Sequence, residues 1–180
     1  MSKVLFLSTS LRANSNSETL ARECAQGATE AGHSVEFLSL KGKKIDFCIG
    51  CLACQKTGKC VLRDDIAEIA DLVFHADTLV FATPVYYYGM CGQMKTLLDR
   101  LNPLYGSAYR FRRVYLIATA AEEGTEVFEG TRSGLKGFVD CFEEAELCES
   151  LECGGLTDGG EAAACAETKR LARNFGKQLK

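Results

Sequence analysis

Cys48, Cys51, Cys54 and Cys60 stand within thirteen residues in a C-x2-C-x2-C-x5-C spacing. Two-residue gaps aim successive thiolates at a common point, as an iron–sulfur cluster or a soft metal ion requires. A redox-active dithiol needs the same proximity. Structural zinc sites usually join two C-x2-4-C arms across a longer loop. Three cysteines at successive two-residue gaps are closer to ferredoxin-type spacing, although no proline follows Cys60. Three readings therefore stay open: an iron–sulfur cluster, zinc, or free thiols in a metal-free loop.

The remaining cysteines carry less. Cys24 falls on a helix stripe and reads as core. Cys91 reads as a small buried hydrophobe. Cys141, Cys148, Cys153 and Cys165 show no ligand spacing. His33 and His75 are the only histidines and neither belongs to a Ser/His/Asp or metal constellation, which argues against hydrolysis.

A second polar constellation lies near the start, Ser8-Thr9-Ser10-Leu11-Arg12-Ala13-Asn14-Ser15-Asn16-Ser17-Glu18. Seven of these side chains carry a hydroxyl or amide, and none before Glu18 is acidic. Ser15-x-x-Glu18 has the form of a capping box that starts a helix near Asn16. Free amides there, the hydroxyls and the Arg12 guanidinium converge on an anion, best a phosphate. Neither G-x-G-x-x-G nor G-x-x-x-x-G-K-[ST] occurs, so the usual dinucleotide and triphosphate cradles are missing. A hydroxyl-rich loop without those glycines suits a mononucleotide such as FMN. Further on, Thr83-Pro84-Val85-Tyr86-Tyr87-Tyr88-Gly89-Met90 joins a stiffening proline to aromatic rings able to lie against a flavin.

Elements that position these segments follow from hydrophobic patterning. Val4–Leu7, Thr78–Ala82 and Val114–Ala118 are continuous apolar runs, as expected of strands covered on both faces. Ser34–Leu40 and Glu146–Cys153 are interrupted by polar residues and suit sheet edges. Helical stripes lie at Leu20, Ala21, Cys24, Ala25 and Ala28, stopped by Gly32, and at Ile66, Ile69, Ala70 and Val73, started by Asp64 or Asp65. A third helix covers Gln93–Leu101, with Lys95 and Asp99 one turn apart. Two more are expected over about Val127–Ala145 and Glu161–Leu179. Five strands alternating with five helices give a doubly wound α/β sheet, and polar edges select the order 2-1-3-4-5. Winding then reverses between strands 1 and 3, and the crevice beyond their carboxyl ends binds ligands. The Ser8–Ser17 and Thr83–Gly92 segments are therefore expected to be neighbours. The cysteine run follows strand 2 and is expected at that same end.

At 180 residues the chain reads as a single domain, 1–180, with a cysteine-rich insertion at about 46–62. A net charge of −3, with no Lys/Arg run longer than two, argues against nucleic acid or anionic membrane as a partner. Met-Ser-Lys runs straight into a strand-like Val4–Leu7, too short for a signal peptide's apolar core, and no stretch reaches membrane-spanning length. The expected setting is cytoplasmic, where ten cysteines stay reduced.

Ser10-x-Arg12-x-x-Ser15-Asn16-Ser17, Thr83-Pro84-Val85-Tyr86-Tyr87 and Gln93-Met94-Lys95-x-x-x-Asp99-Arg100 together resemble the NADPH-dependent FMN reductase family. The likeness spans nearly the whole chain. With the cysteine run and Asp64-Asp65 behind it, the chain is most similar to the iron–sulfur flavoprotein branch. The resemblance implies a flavodoxin-like three-layer α/β/α sandwich. It implies an FMN phosphate held by Ser10, Arg12, Ser15, Asn16 and Ser17, with the flavin ring along Pro84, Val85, Tyr86 and Tyr87. In cluster-bearing members, cysteines matching Cys48, Cys51, Cys54 and Cys60 ligate a [4Fe–4S] centre. Homodimers or homotetramers are common in the family. Thr9 stands where the family often has glycine, and the loop after strand 4 matches it poorly.

The function expected is an FMN oxidoreductase taking electrons from NAD(P)H or a ferredoxin-type donor. The acceptor would be a quinone, an azo compound, free flavin or another small molecule. No catalytic acid or base is assigned, since the cofactor carries the chemistry. The alternatives are a flavodoxin-like electron carrier without small-molecule turnover, and a non-enzymatic thiol or metal redox sensor.

Overall fold

The computed structural model describes residues 1–180. Its strands are β1 (Lys3–Ser8), β2 (Ser34–Ser39), β3 (Thr78–Tyr86), β4 (Gly89–Met90), β5 (Arg113–Thr119) and β6 (Glu146–Cys153). Its helices are α1 (Asn16–Glu30), α2 (Ala53–Thr57), α3 (Ile66–His75), α4 (Gly92–Arg100), α5 (Glu129–Val139), α6 (Glu161–Ala164) and α7 (Ala166–Lys177). Five strands form a parallel sheet in the order β2-β1-β3-β5-β6, with β4 folded back on the end of β3. Apart from that short hairpin, this is the expected 2-1-3-4-5 order of a flavodoxin-like sheet. No helix is long and apolar enough to cross a membrane.

Strand alternation divides the core in two. Leu5, Leu7, Leu79, Phe81 and Leu116 face α3, α4 and α5. Val4, Phe6, Val80, Ala82, Tyr115 and Ile117 face α1 and α7. The central strands have no polar face because both faces are covered, hence their unbroken apolar sequence.

On the second face α1 and α7 touch backbone to backbone. A Cβ on Gly27 would overlap the Arg173 carbonyl, and one on Gly176 would overlap the Cys24 carbonyl. Neither neighbour is a side chain that can swing away. Gly27→Ala and Gly176→Ala are each expected to cost roughly 3 kcal/mol by forcing the helices apart. Chemical denaturation of the purified variants measures this, and a loss under about 0.5 kcal/mol would contradict the close approach.

Three expectations need correction. The helix expected over 127–145 is a single 3-10 turn at Glu126–Phe128 followed by α5, which ends at Val139. There the chain turns so that Phe142 joins Tyr109, Phe111 and Phe138 in an aromatic cluster. The helix expected over 161–179 breaks at Cys165, whose extended backbone ends α6 and starts α7. The segment after Ala82 is not an open loop: β3 continues to Tyr86 and reverses through Tyr87-Tyr88 into β4.

Candidate functional site

The crevice beyond β1 and β3 is built as the strand order requires. Ser15 caps α1, its Oγ accepting the Glu18 N–H at 3.3 Å. The first amides of α1 have no acceptor within the helix and face the loop that precedes it. Ser8, Thr9, Ser10, Ser15 and Ser17 are all buried, so this hydroxyl lining is internal and not a solvated turn. Thr9 Oγ1 donates to the Ala82 carbonyl at 2.9 Å and lies 3.3 Å from Cys91 Sγ, bolting the first loop to β3. Cys91 is wholly buried and its N–H donates to Thr83 Oγ1.

Arg12 and Asn16 are engaged across the loop that follows β6. Arg12 Nη1 donates to the Thr157 carbonyl at 2.7 Å, and its Nη2 is 3.8 Å from the Asp158 carboxylate. Asn16 Nδ2 donates to the Asp158 carbonyl at 2.8 Å, while its Oδ1 accepts the Ala162 N–H. A Cβ on Gly159 would sit a tight 3.2 Å from the Ala13 carbonyl, so this loop lies closely over the first. Residues 156–158 were not singled out from the sequence. The Gly154-Gly155 and Gly159-Gly160 pairs that bracket them are the signal that could have found them.

The far wall is the β3–β4 hairpin. Tyr87 and Tyr88 both adopt left-handed backbone, φ 50° and 60°, in a turn that usually selects asparagine or glycine. Two bulky residues held there mark stored strain of the kind found at functional sites. Tyr87 is fully exposed at the tip, and Tyr86 and Tyr88 are about half exposed. Tyr88 Oη donates to Glu122 at 2.7 Å, and that carboxylate pushes the phenol's pKa upward. A Cβ on Gly130 would overlap the Tyr88 carbonyl, so the start of α5 buttresses the turn.

Glu18 completes the near wall. Its buried carboxylate accepts from Arg22, Ser8 and Ser39 and pairs with Lys41 at 2.8 Å. Burial pushes the pKa up, but the hydrogen bonds and charges of Lys41 and Arg22 together outweigh it and hold the group below its ordinary value. A depressed carboxylate stabilises the fold above its unfolded pKa, and that contribution disappears as pH falls through the lower folded value. Glu18→Gln is therefore expected to lose about 1 kcal/mol at neutral pH. Urea titrations should show the gap from the parent closing as pH falls below the ordinary carboxylate range; a gap independent of pH would contradict this reading.

The cysteine segment is closed at its neck and draped over helices. Asp46 N–H donates to Asp64 Oδ2 at 2.9 Å, joining the two ends. Beneath them lies Arg100, the last residue of α4 and 1% exposed. Its fork grips Asp64 at 2.7 and 2.9 Å, its Nη1 also reaches the Asp46 carbonyl, and its Nη2 lies 3.5 Å from Cys60 Sγ. Asn102 Nδ2 donates to Cys54 Sγ at 3.0 Å. Cys48, Cys51, Cys54 and Cys60 all line one concavity of about 380 Å³, otherwise walled by Ile49, Leu52, Val61, Leu98, Leu101, Phe138 and Phe142 among others. No three His, Cys, Asp or Glu side chains are grouped about a single metal-ion position.

This concavity is not beside the crevice. Its walls include the C-terminal half of α4 and the end of α5, and no residue of the Ser8–Ser17 or Thr83–Gly92 segments. Helix α4, nine residues and about 14 Å long by helical rise, runs from just after Cys91 under the crevice to Arg100 under the thiols. The expectation that the run lies at the crevice end of the sheet is thus corrected. The long connection leaving β2 runs outward over the α3–α4–α5 layer instead.

Residues 2–142 match the sequence profile of the NADPH-dependent FMN reductases. The chain belongs to the NADPH-dependent FMN reductase family. An iron-sulfur flavoprotein of Methanocaldococcus jannaschii is 40% identical over 102 residues, which are 57% of this chain and 53% of that protein. An iron-sulfur flavoprotein of Archaeoglobus fulgidus is 44% identical over 73 residues, 41% of this chain and 33% of the relative. The matched stretches thus span 53% and 33% of these relatives' own length. Among solved structures, a NAD(P)H:quinone oxidoreductase from Methanothermobacter marburgensis superimposes with a TM-score of 0.76 at 19% identity, covering 99% of each chain. An azoreductase from Bacillus anthracis gives 0.71 at 16% identity, covering 99% of this chain and 100% of its own. At such identities the structural likeness speaks for the fold alone.

As a member of this FMN reductase family the chain can be tested against the groups its relatives imply. For FMN, the buried hydroxyls, the Asn16 and Ser17 amides ahead of the capped Glu18 N–H, and Arg12 form a donor-rich cradle in which Glu18 is already neutralised by Lys41 and Arg22, which fits a phosphate. For a cluster, four thiols on one apolar concavity with N–H donors on Cys54 and Cys60 fit thiolate ligation. Arg100 Nε adds a buried N–H that has no acceptor among the protein's own atoms.

Proposed function

We propose that the chain is an FMN-dependent oxidoreductase that passes electrons from NAD(P)H, or from a ferredoxin-type protein donor, to a quinone, azo compound, flavin or similar small acceptor. The observation that carries this is the meeting of a buried hydroxyl loop and helix N-terminus with an aromatic hairpin at the β1/β3 reversal. Ser10, Arg12, Ser15, Asn16 and Ser17 hold the phosphate, while Pro84, Val85, Tyr86 and Tyr87 border the flavin ring. Cys48, Cys51, Cys54 and Cys60 hold a [4Fe–4S] cluster. When bound, FMN supplies two-electron hydride chemistry and one-electron transfer, and the cluster supplies one-electron transfer. The chain's own work is to bind, orient and shield these groups.

Lys44, Lys56, Lys59 and Arg63 are exposed around the thiols and form no ion pair, so this surface is basic on a chain of net charge −3. An acidic protein donor suits that face, and the feature favours electron entry over the acidic docking face expected of a flavodoxin-like carrier. We read residues 1–180 as one FMN-binding domain with the cysteine segment 46–62 as an insertion. We further propose that it works in the cytoplasm as a homodimer or homotetramer.

Anaerobic oxidation of NAD(P)H by FMN-loaded protein, with quinone and azo acceptors, tests the proposal. Steady turnover is expected. No turnover, together with fast electron exchange with reduced ferredoxin, would leave the carrier reading instead.

A further inference from the structure

We propose that Arg100 and Asn102, which lie outside the cysteine segment, are positioning residues for the iron–sulfur centre. In this role they donate hydrogen bonds to its sulfur atoms and raise its reduction potential. The inference rests on the reading that Cys48, Cys51, Cys54 and Cys60 hold a cluster.

Arg100 has five N–H donors. Holding the neck of the segment accounts for three: two to the Asp64 carboxylate and one to the Asp46 carbonyl. A clamp needs no more than these. A fourth is directed at Cys60 Sγ, and the fifth, on Nε, is buried without an acceptor. A buried guanidinium is costly, and a well-packed apolar pair commonly serves stability as well. Two donors beyond the clamp, one already on a thiol sulfur, point to acceptors of the same soft kind.

Asn102 adds an independent observation. It lies in the 3-10 turn that follows α4, and its amide donates to Cys54 Sγ at 3.0 Å. Two of the four thiols therefore receive donors from one short stretch of chain, the end of α4 and the turn that follows it. Adding an electron increases negative charge on cluster and thiolate sulfurs. Fixed N–H donors and a guanidinium stabilise that charge and so favour the reduced form. Cys60 lines both the thiol concavity and a neighbouring one of about 860 Å³ beside Lys59 and Arg63.

The test uses the FMN-loaded, iron-containing protein purified anaerobically, with the parent, Asn102→Ala and Arg100→Lys titrated potentiometrically. Cluster reduction is followed by EPR and flavin reduction by absorbance. In both variants the cluster midpoint is expected to move to lower potential, by roughly a tenfold fall in the reduced-to-oxidised ratio at fixed potential. The flavin midpoint, separated from the change by α4, should stay in place. Asn102 lies outside the buried ion pair, so its variant keeps the question answerable if Arg100→Lys does not fold. Iron-loaded Asn102→Ala with an unchanged cluster midpoint, or with cluster and flavin shifting together, would overturn the proposal while leaving the cluster itself in place. A parent protein with FMN but no iron would overturn both the proposal and the reading beneath it.

Discussion

Replacing Cys54 with serine is expected to remove iron from the protein while leaving its FMN affinity within about twofold of the parent, since serine is a poor substitute for a thiolate ligand. The fold should tolerate the change. Cys54 is only partly buried, in the short helix α2, and Asn102 can donate to a serine oxygen as it does to sulfur. FMN should be indifferent because no wall of the thiol concavity belongs to the Ser8–Ser17 or Thr83–Gly92 segments. Iron and sulfide analysis, with an FMN titration followed by quenching of its fluorescence, checks both halves. Loss of FMN together with the iron would mean that the two sites are one, against the separation by α4.

Arg12→Ala is expected to weaken FMN binding by roughly 30- to 100-fold, about 2–3 kcal/mol for hydrogen bonds between a charged donor and a charged acceptor. Riboflavin, which lacks the phosphate, should bind parent and variant alike. That contrast separates two roles for the side chain. Arg12 also tethers the loop after β6 through the Thr157 carbonyl, and losing only that tether would weaken both ligands equally. Arg12 is about half exposed, so the variant leaves no buried hole and should be as stable as the parent within about 0.5 kcal/mol. Equal weakening of FMN and riboflavin would assign Arg12 to the loop and take the phosphate away from it.

Much of this architecture is legible in the sequence because its signals are local. Strands β1, β3 and β5 are buried on both faces and therefore appear as unbroken apolar runs. The polar interruptions in β2 and β6 place those strands at the edges. Ser15 announces the start of α1 because capping is chemistry between residues three apart. Features that depend on distant contacts are not legible. Tyr87-Tyr88 carries no turn signature, and its left-handed backbone is held by α5, where Gly130 leaves room for the Tyr88 carbonyl. No glycine or proline marks the break at Cys165, where the polyalanine-like pattern of α6 runs on into α7. The four thiols declare a ligand set through their spacing, but spacing says nothing about where a long connection lies. Its course over the C-terminal end of α4 is dictated by Arg100 and Asp64, thirty-six residues apart in the chain. Charged residues are seldom fully buried, so nothing in the sequence flags Arg100 as a core residue.

The central claim is that one chain carries a flavin site at the β1/β3 crevice and a separate iron–sulfur site on the thiol segment. An absorption spectrum with FMN, iron, sulfide and zinc analysis on anaerobically purified protein tests it most directly. The account predicts flavin bands with about one FMN per chain, and iron and sulfide each near four per chain, the composition of a [4Fe–4S] centre. Colourless protein that takes up no added FMN and holds zinc or no metal would contradict it.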